Sequence, residues 1–218
     1  MASATAINDL MGRRESLAFQ EEALAEEDSA RARFYALLSR LLARPMDEAT
    51  LASVRELSGD ASDFGRAIGI FAGCARAATV ETAAEEFSAL FFGMGAGGEL
   101  FPYASYYRTG LVYDRPLADL RVDLARLGIG ARSETTEPED HIAFLCEVMH
   151  GLIAGTFGVP QALDVQREVF RAHIEPWAAR FFADLEKAKS ARLYAPLGTI
   201  GRLLMEIETE GFAADAVD

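Results

Sequence analysis

Residues 142–153 read IAFLCEVMHGLI, and the apolar side chains Ile142, Leu145, Cys146, Met149, Leu152 and Ile153 fall at i, i+3, i+4, i+7, i+10 and i+11. That spacing lines one side of an α-helix and suits no other regular structure. The same period recurs along the chain. Phe34, Leu37, Leu38, Leu41 and Leu42 form a second stripe, which Arg44-Pro45 ends. Strand-like alternation of useful length is absent from the sequence, as are a repeat period and a linker that would split it.

Punctuation places the remaining helices. Asp47 caps one that runs through Leu57, another follows SGDASD, and a fourth runs from Thr79 to Phe92 and stops at Gly93. GMGAGGELFPYASYY reads as the longest irregular stretch. Asp114-Arg115-Pro116 opens a helix to Leu127, ended by Gly128 and Gly130. Thr136 and Glu139 stand in capping-box spacing with Pro138 in the first turn, which predicts a helix over 137–155. Pro160 starts another, Pro176 restarts the chain, and a last helix carries Ile200, Leu203, Leu204 and Ile207. The expectation is an all-α fold: one compact domain of about nine or ten helices over 29–212. A mobile arm or frayed helix over 1–28 precedes it, and a disordered tail over 213–218 follows.

With 218 residues, half of them apolar, the chain can fill such a core. Its net charge of −13 argues against binding to nucleic acid or anionic membranes and favours cationic partners. No apolar run approaches the ~20 residues of a membrane span. Cys74 and Cys146, the only cysteines, read as reduced core residues. Arg13-Arg14 is a twin arginine, but the acidic QEEALAEED that follows is unlike an export signal. The chain is therefore expected in the cytoplasm, with this arginine pair solvated on a helix.

Glu137, Glu139, Asp140 and His141 crowd the mouth of the 142–153 helix. Acids in a first turn meet free N–H groups and the positive dipole end, which accounts for Glu137 and Glu139. Asp140 and His141 would diverge by about 100° on a helix, so they form no dyad. Two readings stay open: capping at the surface, or a ligand groove at the helix mouth. His141, Cys146 and His150 match no usual zinc spacing. The glycines of Gly93–Gly98 follow a helix and lack a G-K-[ST] sequel, so they read as a flexible connection rather than a phosphate loop. Ser105 lacks a nucleophile elbow. Tyr103, Tyr106, Tyr107 and Tyr113 suit the rim of a core, or an apolar peptide with basic residues.

Three blocks in order carry a family resemblance. EPEDHIAFLCEVM resembles the E-P-x-D-H signature of the TorD/DmsD/NarJ-type chaperones for molybdenum oxidoreductases. EEFSALFFGMG with LFPYASYY resembles that family's second block, and FRAHIEPWAARFFADLEKAKSARLYAPLGTI its C-terminal block. The resemblance covers residues 30–210; the arm before it has no counterpart. It implies a TorD-like helical chaperone in the cytoplasm, not an enzyme and without a cofactor of its own. Such a protein binds the twin-arginine signal peptide and body of a precursor molybdoenzyme catalytic subunit, and delays export until the molybdenum cofactor is inserted. Contact with the cofactor-biosynthesis machinery is a second partner it allows. Carried over by position, the peptide-binding groove falls on Phe87, Leu90, Phe91, Pro102, Tyr103, Ser105, Glu137, Pro138, Asp140 and His141. The chain is expected as a monomer or a domain-swapped dimer. Two alternatives are a helical adaptor for a peptide that is not exported, and a nucleotide-dependent enzyme using Gly93–Gly98.

Overall fold

The computed structural model describes residues 26–92, 97–130 and 137–214. Most of the expected arm, residues 93–96 of the glycine-rich loop, Thr136 with its capping box, and the last four residues lie outside them. Ten helices make up the regular structure among the described residues, as the all-α reading expects. They are α1 (26–43), α2 (Glu48–Arg55), α3 (Asp63–Ala77), α4 (Val80–Phe91) and α5 (Ala104–Thr109). Then come α6 (Arg115–Arg126), α7 (Ile142–Ala154), α8 (Leu163–His173), α9 (Ala178–Lys187) and α10 (Tyr194–Ala214). No helix among the described residues is long and apolar enough to cross a membrane.

Local chemistry sets most boundaries. Asp47 accepts from Thr50 N, Ser62 from Gly65 N and Asp114 from Arg115 N, each supplying the oxygen that a helix start lacks. Thr79 and Thr82 exchange side-chain and backbone bonds at the start of α4. Several boundaries differ from expectation, α2 ending at Arg55 and α8 starting at Leu163 among them. α5 lies inside the stretch read as irregular, and α10 reaches Ala214, two residues into the expected tail. α7 starts at Ile142 instead of 137, because residues 138–141 are held by a neighbouring segment.

The stripe of α7 is buried along its whole length, and Ala143, Val148 and Gly151 widen it. So wide an apolar face belongs against the core, and the strip that carries Phe144, Glu147 and His150 is left facing outward. His150 Nδ1 meets Ala32 O of α1 at 2.9 Å. Beside it, near the start of α1, Arg31 holds Glu208 of α10 with two bonds, at 2.6 and 2.9 Å. Tyr35 Oη donates to the same carboxylate at 3.1 Å.

α9 and α10 pack backbone to backbone. A methyl on Gly198 would stand 2.5 Å from Glu186 N and 2.8 Å from Phe182 O. One on Gly201 would enter the Phe182 ring. Helix propensity favours alanine over glycine everywhere, so the sign of a substitution reads the packing. Gly198→Ala should lower the unfolding free energy by about 1–3 kcal/mol through overpacking. Gly69→Ala, on an open face of α3, should raise it by about 0.5–1 kcal/mol. Urea denaturation of both variants checks this; a neutral or stabilising Gly198→Ala would show that the seam is looser than described.

Candidate functional site

The residues between Pro102 and Ile142 meet in one short antiparallel contact. Tyr103 and His141 form an isolated β-bridge, with Ala104 N bonded to Asp140 O at 3.0 Å and Ile142 N to Pro102 O at 2.8 Å. Asp140 Oδ2 accepts from Ser105 N at 2.8 Å. α5 has no capping side chain of its own, so Asp140 caps it from 35 residues away. Asp140 and Ser105 are both fully buried. Asp140 Oδ1 and Ser105 Oγ have no hydrogen-bond partner among the described residues.

This bridge fixes the mouth of α7. Tyr103 Oη donates to Glu137 Oε2, and its ring meets the His141 ring edge-on at 5.2 Å. Burial is the main reason the Tyr103 phenol is held above its ordinary range, with the Glu137 bond adding to it. Glu139 takes two bonds from Arg121, at 2.7 and 3.0 Å, and is held below the usual carboxylate range by them. His141 is the N-cap of α7: its Nδ1 accepts from Ala143 N at 3.1 Å. The acceptor role requires an unprotonated Nδ1, leaving Nε2–H as donor. Burial pushes the His141 imidazole down to about 4.

A cleft of about 440 Å³ opens beside this mouth, between the end of α1 and the first half of α7. Glu137, Pro138 and His141 line it, with Phe144, Glu147 and Phe157 among the other walls. A second hollow of about 370 Å³ shares Ser39, Ala43, Arg44 and Glu147 with it and continues to Arg40 and His150. The two form one groove along the α1–α7 seam. Phe157 is 46% exposed and Glu147 is exposed; Phe144 is half-buried.

The ten residues expected to form a groove therefore divide. Glu137, Pro138 and His141 stand on the cleft wall, and half-buried Tyr103 braces two of them from behind. Pro102, Ser105 and Asp140 are buried beneath that wall, so Asp140 braces the cleft from below and does not line it. Phe87 and Leu90 are core residues, and half-buried Phe91 packs against Phe87 and Tyr194. The helical geometry expected of Asp140 and His141 gives way because both precede the first turn. Phe144, Glu147 and Phe157 are missed by sequence reasoning. For Glu147 a signal exists, a lone acid within the apolar 142–153 run.

The glycine-rich loop has a different job. Glu99 N and Leu100 N bond to Ala89 O and Leu90 O at the end of α4, at 3.1 and 2.8 Å. A methyl on Gly98 would stand 2.4 Å from Leu90 O. The loop's described part thus abuts a helix C-terminus, the negative dipole end, which repels phosphate. Cys146 is buried in the core, and burial pushes its thiol up. His150 is bonded to Ala32 O.

The depressed His141 gives a pH signature. Its folded value lies below that of an unfolded histidine, so the unfolded chain binds the extra proton between pH about 6.5 and about 4. Stability contributed by neutral His141 is full above that window and lost as pH falls through it. His141→Asn keeps a good N-cap without the titration. The urea midpoint of the parent should fall relative to the variant's as pH drops from about 6.5 to about 4. Parallel curves would mean that His141 titrates as it does in the unfolded chain.

The comparisons with known proteins agree with the all-helical fold. The family model described as nitrate reductase delta subunit matches residues 57–183, more than half of the chain. "Chaperone protein TorD" of Photobacterium profundum is 42% identical over 72 residues, covering 32% of this chain and 33% of that protein. The protein of the same name from Vibrio atlanticus is 24% identical over 138 residues, covering 60% and 64%. The matches thus span less than two thirds of either curated relative. A solved structure described as a redox enzyme maturation protein, from Archaeoglobus fulgidus, superposes with a TM-score of 0.53 over 81% of this chain and 93% of that one. At 22% identity it shows a shared fold. On the family match and the fold together, the chain belongs to the nitrate reductase delta subunit family, the TorD/NarJ group.

Proposed function

We propose that this protein is a maturation chaperone that works in the cytoplasm. It binds the twin-arginine signal peptide and the body of a precursor molybdenum oxidoreductase catalytic subunit. It thereby assists cofactor insertion and delays export until the client has folded. The protein contributes binding and no catalysis. Its second partner is the machinery that delivers the molybdenum cofactor. Family membership and the chaperone names of its curated relatives support this reading.

The observation that carries it is the groove along the α1–α7 seam. Among the described residues it runs along the seam from Glu137 to His150, a length that suits an extended peptide. Phe144 and Phe157 offer apolar surface for the hydrophobic part of a signal, and buried Pro138 backs them. Glu137 and Glu147 offer carboxylates, the natural partners of guanidinium. His141 Nε2–H is a donor for a peptide carbonyl. Arg44 on the same wall repels a second cation and so restricts where the arginine pair can sit. The buried Asp140 is the wrong residue to test this with, because its loss would release the α5 cap.

Titration of the full chain with a synthetic twin-arginine signal peptide, followed by fluorescence anisotropy, tests the reading. Glu147→Lys places a cation on an exposed position of the groove and should weaken binding about tenfold at low salt. Phe157→Ser should weaken it at any salt. Equal affinity of the parent and both variants would move the peptide site elsewhere. Equal affinity for a peptide with both arginines replaced by glutamine would favour a general peptide adaptor.

A further inference from the structure

At the other end of α1, its first turns meet the start of α8 and the end of α10 around a cavity of about 440 Å³. The near edge of the groove, at Ala36, lies five residues further along α1 than Arg31, about 8 Å along the helix axis. Leu163, Ile207 and Phe212 supply apolar wall, and Ile207 is 49% exposed. Glu27, Asp28 and Glu208 supply three carboxylates against one guanidinium, Arg31. That guanidinium is already engaged, by Glu208 and by Asp28 at 2.6 Å.

Gln166, another wall residue, is 4% exposed. Its Nε2 donates to Gln161 O at 2.9 Å, which fixes the orientation of the amide. Its Oε1 is left without a donor among the described residues. An unmet buried acceptor is costly, so the cavity calls for an N–H donor. A net negative wall, apolar surface and an unmet acceptor together describe a site for a guanidinium followed by apolar side chains.

The chain carries such a segment. Arg13-Arg14-Glu15-Ser16-Leu17-Ala18-Phe19 ends eight residues before Glu27, which itself lines the cavity. Eight residues reach about 25 Å when extended, enough to turn back across the cavity. A tether of this length raises the local concentration of the segment to the millimolar range.

We propose that residues 13–19 dock in this cavity. The arginine pair meets Glu27, Asp28 and the free Gln166 oxygen, and Leu17 and Phe19 cover Leu163, Ile207 and Phe212. The expected solvated arginine pair becomes an anchor that fastens the arm to α8 and α10. The docking does not depend on the peptide groove and leaves it open.

Pulsed electron paramagnetic resonance on the full chain tests the docking. Spin labels go on Ser16→Cys and Glu210→Cys, with Cys74→Ala to remove the half-buried thiol. A short, narrow distance distribution is expected in the parent. Arg13→Gln with Arg14→Gln should abolish it, and so should Ile207→Lys, which adds a cation and removes apolar wall at an exposed position and so spares the core. A broad or long distribution in the parent would overturn the proposal. So would a short distance that survives both sets of substitutions. A short distance lost on dilution with unlabelled chain would place the segment on a second copy and overturn it too.

Discussion

One buried carboxylate organises the mouth of the groove. Asp140 accepts from Ser105 N while its own backbone carbonyl accepts from Ala104 N. Two oxygens of one residue thus hold the start of α5, and Ile142 N closes the contact on Pro102 O. The linkage joins segments that no helix packing would bring into register. It starts α7 at Ile142, turns His141 into its cap, and sets Glu137 against Tyr103. The unmet Asp140 Oδ1 and Ser105 Oγ make it a costly arrangement. Buried polar pairs of this kind specify a position more than they add stability.

The same device recurs at α10. Glu86 of α4 accepts from Arg192 N, Leu193 N and Tyr194 N, and so takes up three amides leading into that helix. Glu99 accepts from Lys189 N and Ser190 N at the end of α9, and those bonds hold its carboxyl below the usual range. In each case a carboxylate satisfies backbone donors far away in sequence. Acids that read as surface charge in a chain of net charge −13 are thus partly structural.

This division explains what can be read from the sequence. Caps within three residues are legible: Asp47 and Asp114 sit beside the amides they serve. The α7 stripe is legible because periodicity alone reports burial. The short helix α5 is not, since its cap comes from Asp140, and neither is the true start of α7. For the candidate site, motif resemblance points to segments that line the cleft or lie beneath it, but not to the exposure of each residue. Asp140 and His141 are neighbours, yet one lies beneath the wall and the other on it. Adjacent residues outside a helix take directions set by their partners. Phe157 joins the groove from beyond the end of α7, where its ring fills the space a side chain on Gly151 would need.

The occupant proposed for this groove is an unexported redox-enzyme precursor. Affinity capture of the full chain from its own host cytoplasm, with mass spectrometry of what accompanies it, tests that most directly. The expected result is one molybdoenzyme precursor with its twin-arginine signal still attached, reduced in yield when Glu147→Lys replaces the parent. Recovery of non-exported proteins alone, from cells that are making molybdoenzymes, would contradict it.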